Sequence, residues 1–245
     1  MGRMWFDPNG NRSQWSEAAE HLSRVDPVMR KVIRSVGPCQ MKPRRDYFVA
    51  LCRAIFAQQL NVRVAQVLFD RFRDLLPGRR LTPKAVIDIL RNAESIRGCG
   101  LSRQKAGYLR DLAGHFADGR IPTRRLGRMS DQEVIDALVA VKGIGRWTAE
   151  MFLMFVLNRP DVLPVDDLGL REGMRDLYGL KERPKPSELF ELAEHWRPYR
   201  SVGTWYVWRR NTTPAAPLTD SPRPAARPGN RAATRRRSKT AARKS

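Results

Sequence analysis

Apolar residues recur at three- and four-residue intervals along almost the whole chain, as at Trp15, Ala19, Leu22 and Val25 and again at Val49, Cys52, Ile55 and Phe56. That spacing turns one face of a helix inward, whereas the strict alternation of a half-buried strand is scarce. The pattern predicts helices over about 14–35, 45–58, 62–75, 83–92, 103–118, 131–140, 146–158, 167–178, 187–195 and 198–210, joined by short connections. Two starts carry explicit signals. Thr82 before Pro83 sets a hydroxyl N-cap ahead of a residue that needs no N–H in a first turn, and Ser130 with Glu133 spells a capping box before Val134, Ile135 and Leu138. The fold class is therefore all-α, a multi-helix assembly.

The periodicity stops near residue 212, where Pro, Ala, Thr and Arg take over; Arg223, Arg227, Arg231, Arg235, Arg236, Arg237, Lys239, Arg243 and Lys244 face a single acid, Asp220. The chain thus divides into a helical domain over 1–211 and a basic tail over 212–245, too polar to bury a core and expected to be disordered. The tail reads either as a solubilising extension or as a nonspecific DNA arm. Across the 245 residues, 46 Lys and Arg stand against 25 Asp and Glu, a formal charge of +21 that points to a polyanionic partner, nucleic acid first.

No apolar run reaches the ~20 residues of a membrane span, and the opening segment lacks the apolar centre of a secretory signal. An intracellular protein, in cytoplasm or nucleoid, with no membrane partner is expected. Cys39, Cys52 and Cys99 are scattered and form no C-x-x-C pair, so they read as reduced structural residues.

The most informative stretch runs from Leu138 to Ala149, Leu-Val-Ala-Val-Lys-Gly-Ile-Gly-Arg-Trp-Thr-Ala, between two apolar-periodic segments. It predicts a helix, a tight hairpin and a second helix. Gly143 and Gly145 permit backbone geometry that a side chain would block, letting the turn approach a phosphate while the amides of the next helix start point at it. About twenty residues later, Leu163-Pro164-Val165-Asp166-Asp167-Leu168 puts two carboxylates at a loop-to-helix junction, one able to cap the helix and one able to react.

The hairpin, its following helix and the Pro-Val-Asp loop resemble the signature of the helix-hairpin-helix superfamily of DNA glycosylases. Ile55-Phe56-Ala57-Gln58-Gln59-Leu60, the stretch Gly98 to Ala106 and Trp196-Arg197-Pro198-Tyr199-Arg200-Ser201 are similar to segments of its DNA-3-methyladenine glycosylase II branch, so the likeness extends over about 45–210. It implies a two-lobed fold, one lobe over about 45–160 and the other built from the N-terminal segment and 165–211, with the active site between them.

The resemblance further implies hydrolysis of the N-glycosidic bond of an alkylated purine (3-methyladenine or 7-methylguanine type) flipped out of double-stranded DNA, by a protein expected to act as a monomer. Asp166, two residues after Pro164, is the implied catalytic carboxylate. An anion beside the sugar stabilises the positive charge that builds as the bond breaks. In the superfamily's bifunctional lyases a nucleophilic lysine stands where this chain has Trp147, so no lyase step is expected.

Trp147 and Trp208 are implied aromatic walls for the extruded base; core packing is the competing reading for Trp208. Met151 stands where several relatives carry an aromatic residue, which bears on substrate range. Gln59, supported by Gln58, is implied to fill the gap left in the duplex. Lys142, Gly143, Gly145 and Arg146 are candidates for the phosphate backbone. The carbonyls of Val139, Val141 and Ile144 match positions that hold a structural monovalent cation in relatives, and no organic cofactor is expected. His21, His115 and His195 lie far from these motifs and are read as surface or core. The rival readings are a noncatalytic DNA-binding or damage-sensing protein and a glycosylase for another damaged base.

Overall fold

The computed structural model describes residues 15–91 and 98–212, which form eleven α-helices and no strand. In chain order these are α1 (Ser16–Val25), α2 (Pro27–Val36), α3 (Tyr47–Ala57), α4 (Val62–Asp74), α5 (Pro83–Ile89), α6 (Arg103–Ala117), α7 (Asp131–Val139), α8 (Arg146–Phe155), α9 (Leu168–Tyr178), α10 (Pro186–Leu192) and α11 (Arg200–Thr212). The basic segment 213–245 lies outside the described residues, as do 1–14 and 92–97.

The expected helix starts are present. The Ala85 amide donates to Thr82 Oγ1, and Ser130 and Glu133 exchange both bonds of a capping box. One expected helix is corrected: 14–35 is two helices. Asp26 turns extended (φ −139°) and its Oδ1 accepts from the amides of Val28 and Met29, so Asp26-Pro27 starts α2 afresh. Further on, α8 stops at Phe155, short of the expected 158, and Asn158 turns left-handed (φ 61°). The segment expected as 187–195 ends at Leu192 and is followed by a single 3₁₀ turn, Glu194–Trp196.

Two hydrophobic cores organise these helices. The first is built from α3 to α8, with the Phe56 ring against those of Phe69 and Phe72 and with Leu109, Leu138 and Leu153 fully buried. The second joins the first two helices to the last ones: Leu22, Met29 and Ile33 from α1 and α2 pack with Leu170 and Met174 of α9, Trp196, and Val202 and Tyr206 of α11. Asp26 is buried against it. Its buried Oδ2 accepts from Tyr178 Oη and Trp196 Nε1 (2.9 Å) and lies 3.0 Å from His195 Nε2. Burial alone would raise this carboxyl, but hydrogen bonds from Trp196, Tyr178, Met29 and His195 bring it below its ordinary value.

The chain crosses between cores twice, and the crossings position the site. Val162 packs in the first core and Leu163 in the second, so the turn from Pro164 to Asp167 sits on the seam. Arg200 and Ser201 hold the approach to that turn. The Arg200 guanidinium donates to Asp161 Oδ1 (2.7 Å) and Oδ2 (3.0 Å), and Ser201 Oγ accepts from the Val162 amide (2.9 Å). The second half of the Trp196–Ser201 segment therefore braces the loop before the carboxylates.

Candidate active site

The hairpin between α7 and α8 is fixed from three sides. Gly143 adopts φ +84°, and a Cβ there would lie 2.3 Å from Tyr108 Cδ2, so both backbone angle and space require glycine. The Gly143 carbonyl accepts from Gln58 Nε2 (2.6 Å), and the Lys142 amide donates to Asp111 Oδ2 (2.8 Å). Gly145 differs from the sequence expectation: its φ is −92° and its Cβ direction is open, so nothing inside the protein demands glycine there. It is the N-cap of α8 and receives no side-chain cap, which leaves the first-turn amides without an intrahelical partner. Gly145, Arg146 and Lys142 are all exposed.

The end of α3 abuts this hairpin. Gln58 is its C-cap, and Gln59, exposed, takes the left-handed conformation (φ 57°). Lys105 Nζ donates to the carbonyls of Phe56 (2.8 Å) and Gln58 (2.7 Å), and burial pulls its amine below the ordinary lysine value. Gln58 is thus committed to the hairpin, while Gln59 projects beside it. The role of Lys105 has no local sequence signal, because its contacts lie 47 and 49 residues away.

At the seam the structure divides the two adjacent acids. Asp167 caps α9, with Oδ1 accepting from the Leu170 amide (2.6 Å) and from Trp208 Nε1 (3.0 Å), while Oδ2 accepts from Trp147 Nε1 (2.8 Å). Asp166 is exposed, and among the described residues no hydrogen bond or ion pair engages its carboxylate. The two expected aromatic residues therefore converge on Asp167, one position beyond the carboxylate that the Pro-Val-Asp spacing implied. Asp167 Oδ1 thus serves the helix cap and the Trp208 indole at once, and the second of these contacts spans 41 residues and has no local sequence signal.

Trp147 is 48% exposed, and Trp208, half-buried, lies against Phe155 with ring centroids 5.9 Å apart. Met151 faces a neighbouring cavity of about 630 Å³ between the cores, shared with Ala54, Thr148, Phe155 and Trp205. Phe155, absent from the expected set, touches both regions. Behind Trp147, one turn along α8, Glu150 is buried and accepts from Arg146 Nε at 3.0 Å. Burial raises the Glu150 carboxyl, the Arg146 guanidinium opposes the rise, and Asp166 and Asp167 add to it.

Of the expected cation carbonyls, Val141 accepts the Ile144 amide at 3.1 Å, and Val139 is the last residue of α7. Among the described residues no group of three or more His, Cys, Asp or Glu could hold a metal ion, and no helix is long and apolar enough to cross a membrane. The three cysteines are buried and form no disulfide; burial pushes the Cys39 thiol up to about 12.

The family model described as HhH-GPD superfamily base excision DNA repair protein matches residues 52–198. DNA-3-methyladenine glycosylase 1 of Schizosaccharomyces pombe is 36% identical over 214 residues, covering 85% of this chain and 92% of the relative. The solved structure of the S. pombe 3-methyladenine DNA glycosylase in complex with abasic DNA superposes with a TM-score of 0.70 at 35% identity, over 80% of this chain and 97% of that one. A DNA-3-methyladenine glycosidase from Bacillus halodurans gives a TM-score of 0.72 at 32% identity, over 80% and 89% of the two chains.

Proposed function

Because the chain belongs to the HhH-GPD superfamily of base excision DNA repair proteins, we propose that the seam between its two cores receives a nucleotide flipped out of duplex DNA and hydrolyses its N-glycosidic bond. The protein is a DNA glycosylase that acts on alkylated bases. The observation that carries the site assignment is the grip of Trp147, Trp208 and the Leu170 amide on Asp167.

Breaking the bond builds positive charge on the deoxyribose. A carboxylate already oriented by three N–H donors stabilises that charge without reorganising, and Oδ2, with a single donor on it, keeps a lone pair for the sugar or for the attacking water. An alkylated purine carries its own positive charge and leaves readily, so no general acid is required. The half-exposed Trp147 ring, its edge pinned by Asp167, offers a π-face to the cationic base.

Gln59, held outward by the Gln58 and Lys105 bonds, fills the vacated stack. The uncapped start of α8 and Lys142 take the phosphate backbone. The carbonyls of Val139, Val141 and Ile144 supply neutral oxygen donors for a structural monovalent cation in this reading. Lyase chemistry is not part of this reading: Trp147 stands at the position of the nucleophilic lysine, and Lys105 is committed to two carbonyls. The reading is of a monomer that prefers alkylated purines.

The test is release of free modified purines from methylated DNA, read by mass spectrometry. Asp167→Asn, in which asparagine still caps α9 but turns an N–H toward Trp147 Nε1, is expected to lose at least about 100-fold in rate while staying folded and binding DNA, at a stability cost of about 1–2 kcal/mol. Asp166→Asn is expected to retain most activity. The opposite pattern supports a second reading, favoured by the exposed and unengaged Asp166, in which that residue reacts and Asp167 only builds the wall. If the wild type releases no base, the proposal fails.

A further inference from the structure

Two carboxylates are buried among the described residues, and they differ in how they are satisfied. Asp26 is surrounded by side-chain and backbone donors within the second core. Glu150, with 6% of its side chain exposed, has one hydrogen-bond partner among the described residues, Arg146 Nε, and that guanidinium is itself 56% exposed. Arg146 is the first residue of α8, next to the uncapped hairpin amides. A buried acid is thus satisfied by a cation standing where a phosphate would arrive. The charged groups that face Glu150 are Arg146 on its own helix and Asp166 and Asp167 from the turn into α9.

We propose that Glu150 is a positioning residue for DNA engagement: it holds the Arg146 guanidinium beside the hairpin in the free protein, and it takes up a solvent proton when a DNA phosphate captures that guanidinium. The inference rests on the DNA-binding reading above. In the exchange the N–H···O contact to the carboxylate breaks, one to a phosphate oxygen forms, and one proton from solvent converts the buried carboxylate to the acid.

The physical drive is the cost of an unpaired buried charge. Burial already raises this carboxyl and Arg146 is the group that opposes the rise; its departure and the incoming phosphate charge both push in the same direction. The complex therefore holds a proton that the free protein does not. Binding strengthens as pH falls through the value of Glu150 in the complex toward its value in the free protein, by up to about tenfold per pH unit. The neutral acid also removes one like charge from beside Asp166 and Asp167 in the bound state.

The test is calorimetric titration of the protein with a duplex bearing a tetrahydrofuran abasic-site analogue, in two buffers of different ionisation enthalpy. The wild type is expected to take up close to one proton and to bind more weakly as pH rises. Glu150→Gln, whose carboxamide mimics the acid, should show buffer-independent heat, a flat affinity profile, and at alkaline pH an affinity no lower than the wild type's. Arg146→Gln should bind more weakly at every pH and also without buffer dependence, and it supplies the comparison if Glu150→Gln does not fold.

Proton uptake that persists in Glu150→Gln, or a uniform loss of affinity in that variant at all pH values, overturns the inference. So does buffer-independent heat in the wild type; if that protein still releases methylated purines, the glycosylase reading survives and this inference alone falls. Failure of the wild type to bind the duplex removes both.

Discussion

Replacing Gly143 by alanine should destabilise the protein far more than replacing Gly145, although both belong to one short motif. At Gly143 the new Cβ would meet the Tyr108 ring at 2.3 Å (Cδ2), 2.4 Å (Cγ) and 2.6 Å (Cε2), and the backbone sits at φ +84°. A left-handed conformation costs a non-glycine residue about 1–2 kcal/mol, and forcing a methyl against a packed ring costs about 1–3 kcal/mol. The sum is about 2–5 kcal/mol. Gly145→Ala meets open space at φ −92° and gives up only the advantage of glycine over alanine at an N-cap, about 1 kcal/mol or less.

DNA affinity should follow a different order, because Gly145 fronts the exposed hairpin and its alanine stands in the path of an approaching phosphate. Urea denaturation supplies the stabilities, and fluorescence anisotropy with a labelled duplex supplies the affinities. Tyr108→Ala added to Gly143→Ala relieves the overpacking but not the backbone strain, so it should recover part of the loss. The reasoning is refuted if Gly143→Ala unfolds within about 0.5 kcal/mol of the wild type, or if Gly145→Ala is the less stable of the two.

Asp26→Asn removes the charge that Trp196, Tyr178 and His195 address and should cost about 2–4 kcal/mol, the scale of leaving buried donors poorly matched. The folded Asp26 carboxyl lies below its ordinary 3.8, so its contribution is complete above that pH and is lost as pH falls through the folded value. Acid denaturation curves should therefore show a loss in the wild type below about 3.8 that Asp26→Asn lacks; parallel curves would refute this. Met151→Tyr adds an aromatic ring to the 630 Å³ cavity between the cores. It should shift the ratio of purines released from methylated DNA while leaving the melting temperature nearly unchanged, and an unaltered product ratio would mean the cavity takes no part in base selection.

Local rules made much of the fold legible in the sequence. The helical period, the Ser130 capping box and the Thr82-Pro83 start each depend on residues within a turn or two of one another, so the all-helical class and most element positions follow from them. The hairpin was equally legible, since its glycines and flanking apolar faces are contiguous. Asp26 was the local exception: the same aspartate-proline signal that starts α2 lay inside a stretch whose apolar spacing continued unbroken, and the spacing hid the break.

The sequence by itself thus determined the helices, the basic character, the hairpin and a pair of carboxylates close behind it. Only the tertiary structure decided which carboxylate the tryptophans hold, because Trp147 and Trp208 reach Asp167 across 20 and 41 residues and along different helices. The same holds for the partners of Gln58 and Lys105, 85 and 47 residues apart from them. Spacing along a chain fixes the face a residue presents on its own helix; which other face it meets depends on how the helices pack, and the packing of two cores across one seam is a property of the whole chain.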